Sequence, residues 1–327
     1  MKNFRTVIKF SGSPEKFDHR SSILMIGSCF AENIGEKLLQ NKFNIALNPF
    51  GILYNPASIA RSVNRIISGG LYQLDELCQN HELWCSFDHH GRFSDTDAER
   101  CLQGINDELS EAHRKLHRLD WLIITFGTAW IYSLKGTGEI VANCHKLPSD
   151  IFIRRRMDPD EIVAGWNQVV ASLRQVNPDI NILFTVSPVR HLRDGAHENQ
   201  ISKSTLLLAI DRICREHPRS YYFPAYEIML DDLRDYRFYD TDMIHPNSTA
   251  IDYIWDMFCN TYISEHAIEV MKEIEKIVNA SKHRPIHRTT EIQKFTTAFL
   301  EKIELLQQKM PYLDFGKEIS MFQDNLK

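Results

Sequence analysis

The chain has 327 residues, of which 43% are hydrophobic and 25% are charged, and its formal net charge is −5. This composition predicts a sizeable folded core rather than a disordered chain. The slightly acidic balance argues against nucleic-acid binding, which requires a basic surface. The polar N-terminus does not resemble a signal peptide, and no stretch reaches the roughly 18 apolar residues of a membrane span. We therefore expect a cytoplasmic protein with no membrane partner.

Three short apolar runs predict buried parallel strands, at residues 23–26, 121–126 and 180–186. Helical patterns lie between them, and the clearest begins at Asp158-Pro159 and ends at Asn177-Pro178. This alternation predicts an α/β sandwich around a mostly parallel sheet. Seven cysteines at irregular spacing, without a CxxC pair, predict reduced thiols rather than a disulfide framework or a zinc site.

Two regions stand apart from this alternation. Residues 55–118 contain a predicted helix at 57–67, a polar stretch rich in histidine and a second helix near 97–117, which together predict an insertion or lid. Beyond residue 263, two amphipathic helices separated by the basic stretch SKHRPIHR predict an antiparallel pair. The expected organisation is a main domain at 1–263 and a helical pair at 264–327, which either packs on that domain or forms a homodimer contact.

The stretch SILMIGSCFAENIG places Ser28 where a buried strand becomes a helix. Gly27 permits a tight turn, and α/β folds bind ligands at the carboxyl ends of their strands. The amides at the start of the helix carry positive potential that stabilises an oxyanion. A serine that only caps the helix is the competing interpretation, and it is favoured when the stretch is considered alone.

A second pattern, DTDMIHPNS, lies late in the chain and directly before a predicted helix. The spacing of Asp242 and His245 allows the carboxylate to fold back onto the imidazole, where it would fix the tautomer of a general base. This spacing is common by chance. The spacing of Asp242 and His245 is more informative here because a candidate serine lies early in the same chain.

Residues 27–31 spell GSCFA, and the chain resembles the GSCFA family over roughly residues 20–260. That family is similar to the GDSL/SGNH hydrolases, which are serine esterases with a flavodoxin-like three-layer α/β sandwich. The resemblance rests on these stretches: GSCFA at 27–31, NPFGILYNP at 48–56, GTAW at 127–130, NCHKLP at 143–148, SPVRH at 187–191 and DMIHP at 242–246.

The resemblance implies that Ser28 is the nucleophile, His245 the general base and Asp242 the residue that orients it. It also implies that the backbone N–H groups of Gly51 and Ser28 bind the oxyanion, and that the reaction needs no metal or cofactor. Loss of one oxyanion donor typically costs about 10²–10³-fold in rate.

The chain departs from the SGNH pattern at GTAW, which begins at Gly127. Where those enzymes carry an asparagine side chain as an oxyanion donor, this chain has Ala129. Thr128 substitutes for it, or Asn143 or His145 reaches in from the NCHKLP stretch, or the site has one donor fewer. The aspartate of the GDS element is also absent.

Other side chains near these motifs have two interpretations each. Cys29 is either a thiolate nucleophile or a small apolar residue that points into the core, and the second is favoured. His145 and Lys146 either bind an anionic or carbonyl group of the substrate or form an ordinary surface pair. Arg190 and His191 follow a strand end, where they either contact the substrate or belong to a plain loop.

The run Asp88-His89-His90 suggests a metal cluster, but three adjacent side chains rarely converge on one ion, so a solvated loop is favoured. Trp166 and Trp255 occur at helical core spacing and are expected to be buried.

The sequence thus predicts a serine esterase that forms an acyl-Ser28 intermediate on a small-molecule or carbohydrate ester, with an O-acetyl group as the natural choice. An acyltransferase with the same residues and a non-catalytic binding domain are the alternatives.

Overall fold

A five-stranded parallel sheet forms the centre of the structure, a computed structural model that describes residues 6–283 and 289–326. The strands in chain order are β1 (Ser22–Gly27), β2 (Asn44–Leu47), β3 (Cys78–Asn80), β4 (Leu83–Cys85), β5 (Trp121–Phe126), β6 (Trp130–Leu134), β7 (Ile140–Val141), β8 (Phe152–Arg156), β9 (Asn181–Val186) and β10 (Ser220–Phe223). The helices are α1 (Cys29–Gln40), α2 (Pro56–Ser68), α3 (Ala98–Leu116), α4 (Pro159–Val176), α5 (Gly195–Glu216), α6 (Ala225–Glu227), α7 (Ser248–Tyr262), α8 (Glu265–Ser281), α9 (Thr290–Lys309) and α10 (Gly316–Leu326).

The central sheet has the order β2-β1-β5-β9-β10, and every neighbouring pair is parallel. Counted within this sheet alone, the order is 2-1-3-4-5, which is the flavodoxin type. The chain changes direction across the sheet between β1 and β5, and the end of β1 is therefore the position where such folds bind ligands. The predicted fold class, an α/β sandwich with a mostly parallel sheet and C-terminal helices, is confirmed.

Alternate residues of the central strands face two separate hydrophobic layers. Leu24 and Ile26 of β1 pack with α2, α3, α4 and α5, whereas Ile23 and Met25 pack with α1 and α7. Every residue of β5 and β9 is buried, which explains why both strands are continuous apolar runs in the sequence. Trp166 is 1% exposed and belongs to the first layer, as the helical spacing predicts. Trp255 is 8% exposed in the second layer.

The two helices predicted within residues 55–118 are present as α2 and α3. Helix α2 begins where Asn55 Oδ1 accepts the Ser58 N–H at 2.8 Å and ends at Gly69, whose φ of 64° is left-handed. Both helices bury apolar faces against the sheet and so belong to the sandwich itself. Between them lies the antiparallel hairpin β3–β4, and a further small sheet has the order β7-β6-β8. The insertion or lid at residues 55–118 stays a prediction.

The C-terminal region contains three described helices rather than the predicted pair, because α10 follows α9. The three helices share a small core of their own, which includes Ile274, Ile303 and Phe322. Lys42 and Glu318 form an ion pair at 2.7 Å that joins α10 to the main domain, and both side chains are largely buried. Part of the predicted link SKHRPIHR, residues 284–288, lies outside the described residues. None of the described helices combines the length and apolar character that a membrane span requires.

Candidate active site

Ser28 occupies the turn between β1 and α1, at the carboxyl edge of the sheet. Its backbone has the extended conformation of a helix N-cap, with φ of −75° and ψ of −179°, yet its side chain caps no amide. The residue is 1% exposed, and among the described residues its Oγ has no hydrogen-bond partner. The hydroxyl therefore does not do the work of a cap, and a buried polar atom without a partner requires another explanation.

The strand end before Ser28 is fixed by a glycine and an asparagine. A side chain at Gly27 would place its Cβ 2.5 Å from the Thr125 carbonyl oxygen, so only glycine allows β1 to lie this close to β5. The Gly27 N–H donates to Asn48 Oδ1 at 2.9 Å, and Asn48 is fully buried with a left-handed φ of 49°. Asn48 was not predicted as a site residue, although it is the first residue of NPFG.

Asp242 and His245 form the hydrogen bond that their spacing predicts. His245 Nδ1 lies 2.6 Å from Asp242 Oδ2, and Asp242 Oδ1 accepts the N–H groups of His245 and Ile244 at 2.9 and 2.8 Å. The hydrogen bond from the His245 amide, with those from its ring and from Ile244, lowers the pKa of Asp242 to about 2. The carboxylate is therefore ionised at neutral pH and holds the imidazole with Nδ1 protonated.

Arg190 holds the loop that carries this pair. Its Nη2 donates to the Met243 carbonyl oxygen at 2.6 Å, and its own N–H donates to the Ile244 carbonyl oxygen at 3.3 Å. The guanidinium also lies 4.2 Å from the centre of the Tyr239 ring. These contacts give Arg190 a role in positioning the loop, and its predicted contact with the substrate stays a prediction.

His191 lies beside Ser28 at the same sheet edge. A Cβ built on Gly127 would be 3.4 Å from His191 Nε2 and 3.4 Å from Ser28 Cβ, so both groups border the same point. Burial, with the positive charge of Lys203 and the nearby His245, lowers the pKa of His191 to about 3. The N–H of Arg190, the residue before His191, donates to the Ile244 carbonyl oxygen at 3.3 Å, so the loop that carries Asp242 and His245 lies against the SPVRH stretch.

The backbone groups expected to bind an oxyanion are mostly engaged within the protein. The Gly51 N–H donates to the Asn48 carbonyl oxygen at 2.7 Å, and the amides of Gly127 and Thr128 donate to the Tyr54 carbonyl oxygen at 2.7 and 3.0 Å. The Thr128 hydroxyl is bonded to the Ser202 hydroxyl at 3.1 Å. The Gly51 amide thus already has an acceptor and the Thr128 hydroxyl a partner, while the roles of Gly51 and Thr128 at an oxyanion stay predictions.

Asn143, His145 and Lys146 border a separate cavity of about 900 Å³ next to the β3–β4 hairpin and His90. The Asn143 side chain accepts the His145 N–H at 2.8 Å, and His145 Nε2 lies 2.7 Å from the Ser86 carbonyl oxygen. Burial lowers the pKa of His145. His145 and Lys146 both have left-handed backbones, with φ of 47° and 59°. These contacts fix the loop, while the predicted contact with the substrate stays a prediction.

The favoured interpretation of Cys29, that it points into the core, is wrong. Cys29 is half-buried, and its Sγ lies 3.6 Å from the Tyr54 hydroxyl. The reason is that Ser28 takes the buried position in this turn.

The run at residues 88–90 does not converge on one point. Asp88 bonds to the Tyr72 hydroxyl at 2.9 Å, and His89 is buried with its Nδ1 2.9 Å from the Ser86 hydroxyl. The expectation of a solvated loop is therefore wrong for His89, which stacks on the Phe50 ring. Within residues 6–283 and 289–326, no three His, Cys, Asp or Glu side chains are grouped so that they could hold a metal ion.

Lys203 is a buried residue that the sequence did not single out. Its Nζ is inaccessible to solvent and donates to the carbonyl oxygens of Gly127 at 2.6 Å and Ser187 at 2.7 Å. The two carbonyls follow β5 and β9, so one ammonium or amine group joins the two strand ends behind the site. Burial lowers the pKa of Lys203 to about 7. A lysine within the pattern ISKSTLLLAI of α5 looks like any helix residue, and only the fold reveals its position.

The fold and this sheet edge define an α/β protein with polar groups gathered at a flavodoxin-type switch point. The model of the GSCFA family matches residues 22–258, and that of the GSCFA domain protein, C-terminal domain, matches residues 274–327. The chain therefore belongs to the GSCFA family. No curated protein matches it.

Three solved structures are similar to this chain at low sequence identity. A carbohydrate esterase family 3 protein from Talaromyces cellulolyticus is 10% identical, and the match covers 78% of this chain and 99% of the esterase, with a TM-score of 0.33. An acetyl esterase mutant with an acetate ion is 12% identical, and the match covers 78% of this chain and 99% of that esterase, with a TM-score of 0.35. An acetyl xylan esterase from the rumen bacterium Butyrivibrio proteoclasticus is 12% identical, and the match covers 74% of this chain and 64% of that esterase, with a TM-score of 0.36. Likeness at this level does not define a shared activity.

Proposed function

We propose that this protein is a serine hydrolase of the SGNH type that cleaves small acyl esters, with Ser28 as nucleophile and His245 as general base. The observation that carries the proposal is the Ser28 hydroxyl. It is buried at the start of a helix and at the switch point of the sheet, and no residue that the structure describes forms a hydrogen bond with it. A hydroxyl in this place costs stability and receives nothing from the fold, which is the usual condition of a group kept for a ligand.

The electrostatic setting supports attack by this oxygen on a carbonyl. The 12-residue helix α1 begins at Cys29, directly after Ser28, so its first amides and its positive end lie next to the reacting atoms. A developing oxyanion is stabilised there without rearrangement of the protein.

In the proposed reaction, Ser28 Oγ bonds to the ester carbonyl carbon while its proton passes to His245 Nε2. The tetrahedral intermediate collapses, the bond to the leaving alcohol breaks, and His245 returns the proton to the departing oxygen. Water then bonds to the acyl carbon while His245 takes its proton. The bond to Ser28 Oγ breaks, His245 returns the proton to Ser28 Oγ, and the carboxylic acid leaves. Asp242 accepts the Nδ1–H throughout and stabilises the imidazolium. Ser28 Oγ bonds to no described residue here, and such catalytic hydrogen bonds often form only with substrate.

The surroundings of Ser28 favour a small acyl group. Only 1% of the residue is exposed, and Gly127 and His191 border it closely. A long acyl chain would require these neighbours to move, whereas an acetyl group needs much less space. We therefore propose acetyl esters, first of all O-acetyl groups on carbohydrates, as the substrate class.

The test is covalent labelling with a fluorophosphonate, followed by peptide mass spectrometry and by turnover of p-nitrophenyl acetate and acetylated xylan. We expect the label on Ser28 and none on Ser28→Ala. His245→Ala should slow labelling by about 10³-fold or more, since a triad member is lost. Cys29→Ala is the matched control for the adjacent nucleophile and should label normally. Label on Cys29, or no label and no turnover in the wild type, would refute the proposal in favour of a thiol enzyme or a binding domain.

A further inference from the structure

His191 borders the reacting atoms, and we propose that its Nε2–H is the oxyanion donor that replaces the missing asparagine side chain at Ala129. The proposal rests on the serine-hydrolase function above and deepens it. It assigns a catalytic role to a histidine outside the Asp242–His245 pair.

Two side chains with unpartnered polar atoms border the same point beside Gly127. Ser28 Oγ and His191 Nε2 are both buried and, among the described residues, have no hydrogen-bond partner. Ser28 Cβ and His191 Nε2 each lie 3.4 Å from the position that a Gly127 side chain would take. The same point lies 3.2 Å from the Tyr54 carbonyl oxygen, so Ser28 and His191 border a narrow gap beside Gly127. In the proposed complex, the carbonyl oxygen of an ester attached to Ser28 lies beside His191 Nε2.

The groups predicted to replace the asparagine side chain are engaged elsewhere in the structure. Ala129 has no polar side chain, and its amide donates to the Ser202 hydroxyl at 2.8 Å. The amides of Gly51 and Gly127 and the hydroxyl of Thr128 have internal partners, as described above. Asn143 and His145 border the cavity next to the hairpin and are bonded to one another. His191 Nε2, in contrast, has no hydrogen-bond partner among the described residues and borders the same point as Ser28.

The His191 imidazole is held in place and stays neutral. The His191 amide donates to Asn199 Oδ1 at 2.8 Å, and its ring meets the Tyr54 ring edge-on with centroids 5.8 Å apart. Burial, Lys203 and His245 all disfavour the imidazolium, which lowers the pKa to about 3. A neutral ring with its proton on Nε2 donates one hydrogen bond and does not compete with His245 for the Ser28 proton. A donor that is fixed before the reaction stabilises the developing charge without a cost for reorganisation.

The test compares His191→Phe, which keeps a ring but has no donor, with His191→Gln, which keeps an N–H donor. With p-nitrophenyl acetate, we expect kcat of the Phe variant to fall by about 10²–10³-fold at nearly unchanged KM. The Gln variant should recover at least about tenfold of that loss. The second measurement is the Ki of methylboronic acid, whose tetrahedral adduct on Ser28 mimics the oxyanion. A residue with only a structural role would not change this Ki in proportion to kcat/KM. We expect this Ki to rise in parallel with the loss in kcat/KM.

Each outcome decides the matter. If the Phe variant keeps kcat within about threefold while Ser28→Ala is inactive, the assignment of His191 is overturned and the serine hydrolase stands. If the wild type neither labels at Ser28 nor turns over, both proposals fall. Should the Phe variant not fold, the pair His191→Gln and His191→Ala decides: a Gln variant about tenfold faster supports the donor role, and equal rates overturn it.

Discussion

Lys203 offers the sharpest test of the structure behind the site, and we expect Lys203→Met to change how stability depends on pH. The side chain is wholly buried, and its Nζ donates to two carbonyl oxygens, those of Gly127 and Ser187. Burial lowers its pKa from an ordinary 10.5 to about 7. Between these two values the unfolded chain holds a proton on Lys203 that the folded protein does not.

The sign and size of the effect follow from this difference. Where the unfolded state binds more protons, the free energy of unfolding rises with pH. Below about pH 7 both states are protonated, and the folded protein carries the full penalty of a buried charge. Each pH unit above that value restores about 1.4 kcal/mol. From pH 6 to pH 9 the wild type should therefore gain about 3 kcal/mol from Lys203 alone.

The assay is urea unfolding of the wild type and Lys203→Met at pH 6, 7.5 and 9. Other titrating groups contribute equally to both proteins, so the difference between them isolates Lys203. His191, the titrating neighbour, is neutral over this whole range. Methionine also leaves two carbonyls without a donor, which lowers stability by a constant amount. We expect the wild type's advantage to grow by about 3 kcal/mol between pH 6 and 9, whereas exposed Lys135→Met should show no such trend. A difference that does not change with pH would refute the burial of this amine.

Three further predictions concern the same sheet edge. Gly27→Ala places a methyl group 2.5 Å from a backbone oxygen of β5 and should cost about 1–3 kcal/mol in urea unfolding. Gly104→Ala, its control inside α3 with open space around it, should instead stabilise by about 0.5–1 kcal/mol. Arg190→Met should slow fluorophosphonate labelling by about 10²-fold with little change in melting temperature, because the Asp242–His245 loop loses its anchor. Equal labelling rates would contradict this. Ser28→Ala should raise stability by about 1 kcal/mol, since it removes a buried unpaired hydroxyl, and a loss of stability would show that the hydroxyl has a partner.

The central strands were predictable from sequence and the edge strands were not. β5 and β9 are buried on both faces and therefore appear as continuous apolar runs. β2 and β10 have four residues each, and most of their residues are only partly buried. Short edge strands of this kind carry neither an apolar run nor a clear alternation, and they are defined by pairing with β1 and β9. Helix α10 was missed for a similar reason, because its apolar residues meet α8 and α9 only in the folded chain.

In the candidate site, too, local features were predictable from sequence and long-range contacts were not. The pairing of Asp242 with His245 is set within four residues, so spacing alone predicts their hydrogen bond. The places of Asn48 and Lys203 depend on packing between elements far apart in the chain, and their local sequence carries no mark of it. The hydrogen-bond partners of Gly51 and Thr128 were not predictable either, because sequence motifs identify positions, whereas the partner that each N–H or O–H meets is a property of the folded structure.

The polar atoms without partners indicate what the fold has been built to accommodate. Among the described residues, Ser28 Oγ, Asn48 Nδ2, His191 Nε2 and the nearby Thr125 Oγ1 are buried without a hydrogen-bond partner, and each costs about 1–3 kcal/mol. The same fold satisfies the Gly27 amide through Asn48 and the Gly127 carbonyl through Lys203. A fold that pairs these backbone groups and leaves several side-chain groups open near the end of β1 fits the serine-hydrolase site that we propose. In that site, Ser28 supplies the nucleophilic hydroxyl and His191 an N–H donor for the oxyanion.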